Sequence, residues 1–95
     1  MTADLDALRA EIDALDREIV GLLNRRARLA LQIGKTKAQG GRPIVDAERE
    51  REVLVRVAMA NDGPFPQDAL LALYRQLMET ITRLEEIETS GSKPA

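Results

Sequence analysis

The chain contains no cysteine, no histidine and no tryptophan, and only one phenylalanine and one tyrosine. Without cysteine there is no disulfide framework and no thiolate zinc site. Without histidine the usual acid–base group near neutral pH and the commonest metal ligand are gone, which excludes histidine-based hydrolytic triads and imidazole relays. A core without aromatics must be built from Leu, Ile, Val, Ala and Met. No charge of one sign dominates: 14 Lys and Arg stand against 16 Asp and Glu, a formal net charge of −2. Nothing therefore marks the chain as a nucleic-acid binder. The start, Met1-Thr2-Ala3-Asp4-Leu5-Asp6, has neither basic residues nor an apolar run and does not read as a signal peptide. No stretch approaches the roughly 20 apolar residues that span a bilayer. A soluble, cytoplasmic protein without membrane contact is the expectation.

What is present is helical. The 95 residues make one domain. Apolar residues fall at Leu5, Leu8, Ile12, Leu15, Ile19, Leu22, Leu29 and Ile33, alternating steps of three and four as in a heptad seam. The run stops at Gly40-Gly41-Arg42-Pro43, a strong breaker. One helix from about Ala3 to Gln39 would be roughly 55 Å long. That is about twice the ~26 Å diameter of a compact domain of this size. The seam cannot be buried by the short remainder of its own chain and calls for a partner, most simply a second copy. A second helix is expected from the N-cap residue Asp46, through Val53, Leu54, Val57 and Ala58, to Asn61-Asp62-Gly63-Pro64, with Gly63 as its C-terminal stop. A third is expected from near Pro66 to about Glu88, with the stripe Leu70, Leu73, Leu77, Ile81 and Leu84 flanked by Tyr74 and Met78. The domain is thus expected over residues 1–88 and a polar, flexible tail over 89–95. The fold class is all-α: one very long and two shorter helices in an intertwined homodimer.

The informative residues are polar ones that interrupt this pattern. Arg26 continues Leu5, Ile12 and Ile19 at intervals of seven and so occupies the seam. A buried Arg must meet an anion, which an inter-helix ion pair or a bound ligand equally supplies. Lys37 follows eleven residues later, within about 20° of the same direction and ~16 Å along the axis, so both side chains reach toward one small anion. Arg9 precedes Arg26 by seventeen residues, or ~25 Å, and can join that anion only from an antiparallel partner. Taken singly, Arg9 and Lys37 also fit a solvated helix surface. Asp46 and Glu50 face one way with Arg49 beside them, although acidic residues in a first turn also simply complement the helix dipole. Ile81 and Glu85 share a face, and Glu85, next to Leu84, is free to point in or out.

Over nearly its whole length the chain resembles the all-helical (AroQ-type) chorismate mutases. The resemblance lies in Leu8-Arg9-Ala10-Glu11-Ile12-Asp13-Ala14-Leu15-Asp16 and in Leu22-Leu23-Asn24-Arg25-Arg26-Ala27-Arg28-Leu29-Ala30 followed by Ile33-Gly34-Lys35-Thr36-Lys37. Its most specific piece is Arg42-Pro43-Ile44-Val45-Asp46-Ala47-Glu48-Arg49-Glu50. The resemblance implies an intertwined dimer with two sites, each using Arg26, Lys37, Asp46, Arg49 and Glu50 of one chain and Arg9 of the other. It implies that Arg9 and Arg26 bind the two carboxylates of chorismate and that Lys37 donates to the ether oxygen. Glu50 and the backbone around Asp46 would hold the ring hydroxyl, with Arg49 as a supporting charge. Ile81 falls where the family often has a small hydroxyl residue, so a carboxylate contact is missing there. Glu85 falls where the family has Gln or Glu as second donor to the ether oxygen; a slip of one residue would substitute Glu86. The loop Asn61-Asp62-Gly63-Pro64-Phe65 resembles that of mutase domains fused to 3-deoxy-7-phosphoheptulonate (DAHP) synthases.

The implied reaction, chorismate to prephenate, is a pericyclic [3,3] rearrangement that uses no nucleophile, proton relay, metal or cofactor. Three other readings differ in what they predict. A regulatory chorismate- or prephenate-binding domain of a DAHP synthase would bind without turnover. An isochorismate pyruvate lyase shares the fold and pocket type, but the loop and second-helix motif look mutase-like. A plain interaction module would bind no small anion at all.

Overall fold

The connector after the first helix is built by glycine and proline. In the computed structural model, which describes residues 2–91 and the side chains of 4–90, helix α1 spans Thr2–Gln39. Gly41 takes φ +73°, a left-handed value that suits glycine. Its N–H donates to Ala38 O at 3.2 Å and the Arg42 N–H donates to Lys37 O at 2.8 Å, satisfying two carbonyls the helix end leaves over. Pro43 then bars a return to helix until Asp46. There the backbone is extended (φ −132°, ψ 91°) and the carboxylate accepts the Arg49 N–H at 3.0 Å, opening helix α2, Ala47–Ala60.

Helix α2 ends where expected, but its cap is not the expected one. Its C-cap is Asn61 in extended geometry (φ −80°, ψ 111°), not a left-handed glycine. The stop is made by side chains. Asn61 Nδ2 donates to Phe65 O at 3.0 Å and to Gln67 Oε1 at 2.8 Å, while Gln67 Nε2 donates to the terminal carbonyl of Ala58 at 3.1 Å. Asn61 Oδ1 accepts from the Gly63 N–H at 3.0 Å, so Gly63 (φ +78°) serves the turn beyond the helix. Helix α3 spans Gln67–Gly91 and runs past the expected end at Glu88. Thr89 Oγ1 folds back on Glu85 O and Glu86 O at 2.9 and 3.1 Å. Of the tail expected over 89–95, residues 92–95 lie outside the described residues.

Helix α3 packs on both α1 and α2. The particle is long and thin, 60 × 30 × 15 Å, with a radius of gyration of 17.4 Å. A compact chain of this length would have about 12 Å. Among the described residues only Met78 and Ile81 are buried large apolar side chains, and neither is completely shielded. The seam of α1 lies open: Leu8, Ile12, Leu15 and Ile19 are 51–58% exposed. The inward face of α3 is also rotated from the expected stripe. Its row is Tyr74, Met78, Ile81 and Glu85, whereas Leu73 and Leu84 are exposed. Helix α1 packs on α3 with a face that includes the small residues Ala27, Ala30 and Gly34, and Glu85 lies directly against Gly34. No described helix is long and apolar enough to cross a membrane.

Candidate active site

The three elements converge on one cleft of about 250 Å³. The C-terminal half of α1 contributes Arg26, Leu29, Ile33 and Lys37, the connector contributes Ile44, and the start of α2 contributes Asp46, Arg49, Glu50 and Val53. Helix α3 closes it with Met78, Ile81, Thr82 and Glu85. Three cations and three carboxyl groups thus line a space whose remaining walls are apolar apart from Thr82. Of the eight residues singled out from sequence, seven line this cleft: Arg26, Lys37, Asp46, Arg49, Glu50, Ile81 and Glu85. The eighth, Arg9, is exposed on the distant half of α1, about 25 Å from Arg26 along the axis.

Each side chain is held in its own way. Lys37 Nζ donates to Ile44 O at 3.3 Å, which fixes the ammonium at the cleft's rim and ties α1 to the connector. Asp46 is engaged as the cap of α2 through Arg49 N. Arg49 Nη1 meets Glu52 Oε1 at 3.2 Å; both side chains are 53% exposed, so solvent screens this pair and it contributes little. Glu85 is 8% exposed. Burial pushes its carboxyl above the ordinary glutamate value; Lys37 opposes the shift and the neighbouring Glu86 adds to it. Glu86 itself is exposed and does not line the cleft, so the register has Glu85 inside. Thr82, which the sequence pattern did not single out, lies half-buried on the wall beside Ile81. It brings a hydroxyl-bearing residue to a wall where Ile81 offers none. The one signal for it was its place three residues before Glu85 on the same helix.

The sequence profile of chorismate mutase type II matches residues 8–86. The chain belongs to this family. A bifunctional chorismate mutase/prephenate dehydratase from Aquifex aeolicus (strain VF5) is 42% identical over 87 residues, covering 87% of this chain and 24% of that protein. The T-protein of Haemophilus influenzae is 50% identical over 75 residues, 78% of this chain and 20% of its own length. The chain therefore spans about a quarter or less of these relatives. Among solved structures, chorismate mutase (Form II) from Thermus thermophilus superposes with a TM-score of 0.83 at 38% identity, covering 86% of this chain and 93% of that one. The bifunctional relatives from Aquifex aeolicus and Neisseria gonorrhoeae pair the mutase with a prephenate dehydratase, not with the DAHP synthase that the Asn61–Phe65 loop suggested. The loop's residues have a local reason instead, since Asn61 organises the α2–α3 turn.

Proposed function

We propose that this chain is a chorismate mutase, converting chorismate to prephenate in aromatic amino-acid biosynthesis. The observation that carries the reading is the cleft itself, where Arg26, Lys37 and Arg49 face Glu50 and Glu85 between aliphatic walls. Chorismate has two carboxylates, an ether oxygen and a ring hydroxyl. In the rearrangement the ether C–O bond breaks as a new C–C bond forms, and no proton changes hands. Catalysis then consists of holding the compact diaxial conformer and of facing fixed donors toward the charge that gathers on the ether oxygen. Lys37 serves that oxygen from one side and Glu85, when protonated, from the other. Arg26 takes one substrate carboxylate in the bidentate manner of a guanidinium. Glu50 accepts from the ring hydroxyl, the backbone near Asp46 helps to hold that group, and Arg49 supports the local charge.

The second carboxylate needs a cation that one chain does not supply. The open seam of α1 supports an intertwined homodimer in which the partner's copy of Arg9 completes each site. Such a dimer would cover the long apolar face whose exposure a lone chain cannot sustain. A further link to a DAHP synthase rests on the loop alone; the names of the relatives favour a prephenate dehydratase as neighbour. We expect the reaction to run in the cytoplasm. The test is direct: mix the purified chain with chorismate and follow its loss by ultraviolet absorbance, identifying prephenate as product. Binding without turnover would leave a regulatory domain, and release of pyruvate from isochorismate would mark a lyase.

A further inference from the structure

Gly34 lies buried on α1, three residues before Lys37 and so on nearly the same face. Its backbone is ordinary helix; the reason for a glycine must lie in the space around it. A Cβ placed there would meet Glu85 Oε2 at 2.8 Å, Glu85 Cγ at 3.2 Å and Glu85 Cβ at 3.4 Å, and nothing else comes as near. The three nearest atoms across from the helix thus all belong to one ionisable side chain of the cleft. By contrast, Gly21 on the same helix has nothing within 4 Å of the corresponding point.

We infer that Gly34 is a positioning residue for Glu85: its bare backbone forms the notch that seats the Glu85 carboxyl in the cleft with Lys37. This rests on the role proposed above for Glu85. The closest atom is the far end of a flexible chain, so a methyl group at residue 34 would swing the carboxyl aside rather than part the helices. The loss would fall on the site and spare the fold. Alanine is also the better helix former, so the substitution should keep or raise thermal stability while activity falls. A carboxyl expelled from the notch gains solvent, and its titration should move back toward that of free glutamate. The charges facing it are Arg26 and Lys37 from α1, Asp46, Arg49 and Glu50 from the α2 side, and Glu86 on its own helix. None of these is altered by the change.

The experiment compares the wild-type chain, Gly34→Ala, Gly21→Ala, Glu85→Ala and the double variant Gly34→Ala/Glu85→Ala. For Gly34→Ala the expected loss in kcat is about 10- to 100-fold, the scale of a small misplacement of a reacting group, with melting temperature held or raised. Gly21→Ala should match the wild type in activity. In the Glu85→Ala background, Gly34→Ala should change nothing further, because the carboxyl and Cγ it displaces are gone and the remaining Cβ, at 3.4 Å, is at ordinary contact distance. Losses that multiply in the double variant would overturn the inference, as would a Gly34→Ala chain as active as the parent. A readout apart from turnover is the titration of the Glu85 side-chain carboxyl followed by carbon-13 NMR. Its midpoint should fall in Gly34→Ala; an unchanged midpoint would show that Gly34 does not seat the group. A wild-type chain without mutase activity would remove the proposed function, and this titration would still decide the role of Gly34.

Discussion

The ammonium of Lys37 donates to the backbone carbonyl of Ile44 at 3.3 Å, so the last turn of α1 grips the connector leading into α2. One of its three protons is spent on this bond. The other two remain for a ligand, from a nitrogen already held in place before substrate arrives. A donor fixed in advance needs no reorganisation as negative charge builds on the breaking ether bond. Lys37→Ala should therefore lose at least ~3 kcal/mol of transition-state stabilisation, about a hundredfold or more in kcat. Steady-state kinetics alongside circular dichroism test this, and full activity in a folded Lys37→Ala chain would remove the mechanism.

The pH response follows from Glu85. Its pKa is raised, chiefly by burial, and only the protonated carboxyl donates a hydrogen bond. The active form is present below that pKa and is lost as pH rises through it. Activity should be higher in mild acid than at pH 8, and Glu85→Gln, whose amide donates at every pH, should flatten the profile. Stability moves the same way. The folded chain holds this proton more tightly than the unfolded one, so stability declines as pH climbs from the ordinary glutamate value through the folded value. A Glu85→Gln profile that follows the parent's would refute the assignment.

Helix ends and charged site residues were legible in the sequence because each depends on local chemistry. Gly40-Gly41-Arg42-Pro43 ends α1 through glycine's left-handed freedom, and Asp46 caps α2 through its own carboxylate. Arg26 was legible as a cation on an apolar seam. The inward face of α3 was not, because a stripe of Leu residues does not reveal which neighbour comes closest. Helix α1 meets α3 with a face that includes Ala27, Ala30 and Gly34, which count as background in a hydrophobic pattern, while Met78, Ile81 and Glu85 are buried on α3. Helix α2 ends where the sequence placed its end, but the stop was assigned to Gly63, which carries the familiar signal, while side-chain amides of Asn61 and Gln67 close the turn.

The exposed seam predicts the dependence of stability on concentration. With only Met78 and Ile81 as buried large apolar side chains among the described residues, a lone chain has too little core to be stable. Melting temperature should rise with protein concentration, as it does when folding and association are linked. Ile12 and Ile19 are 56% and 51% exposed in the single chain. Replacing both with Lys should abolish the folded dimer. Sedimentation equilibrium and circular dichroism would report this, and a folded, concentration-independent double variant would show that the seam has no partner.

The sharing of sites between chains is the most exacting prediction, and it rests on distance. Arg26 lines the cleft, whereas Arg9 lies exposed about 25 Å away along one straight helix. No side chain spans that gap, so both arginines can serve one substrate only if they come from different chains. Take Arg9→Ala and Arg26→Ala, each expected to be nearly inactive alone if the proposed dimer forms, then unfold and refold them together. In a mixed dimer, one site joins the intact Arg26 of the first chain to the intact Arg9 of the second, and the other site lacks both. Random pairing makes about half the dimers mixed, each with one good site in two, so roughly a quarter of the parent's activity should return. Were the arginines to act within a single chain, no pairing would rebuild a site. The refolded mixture would then be as inactive as its components.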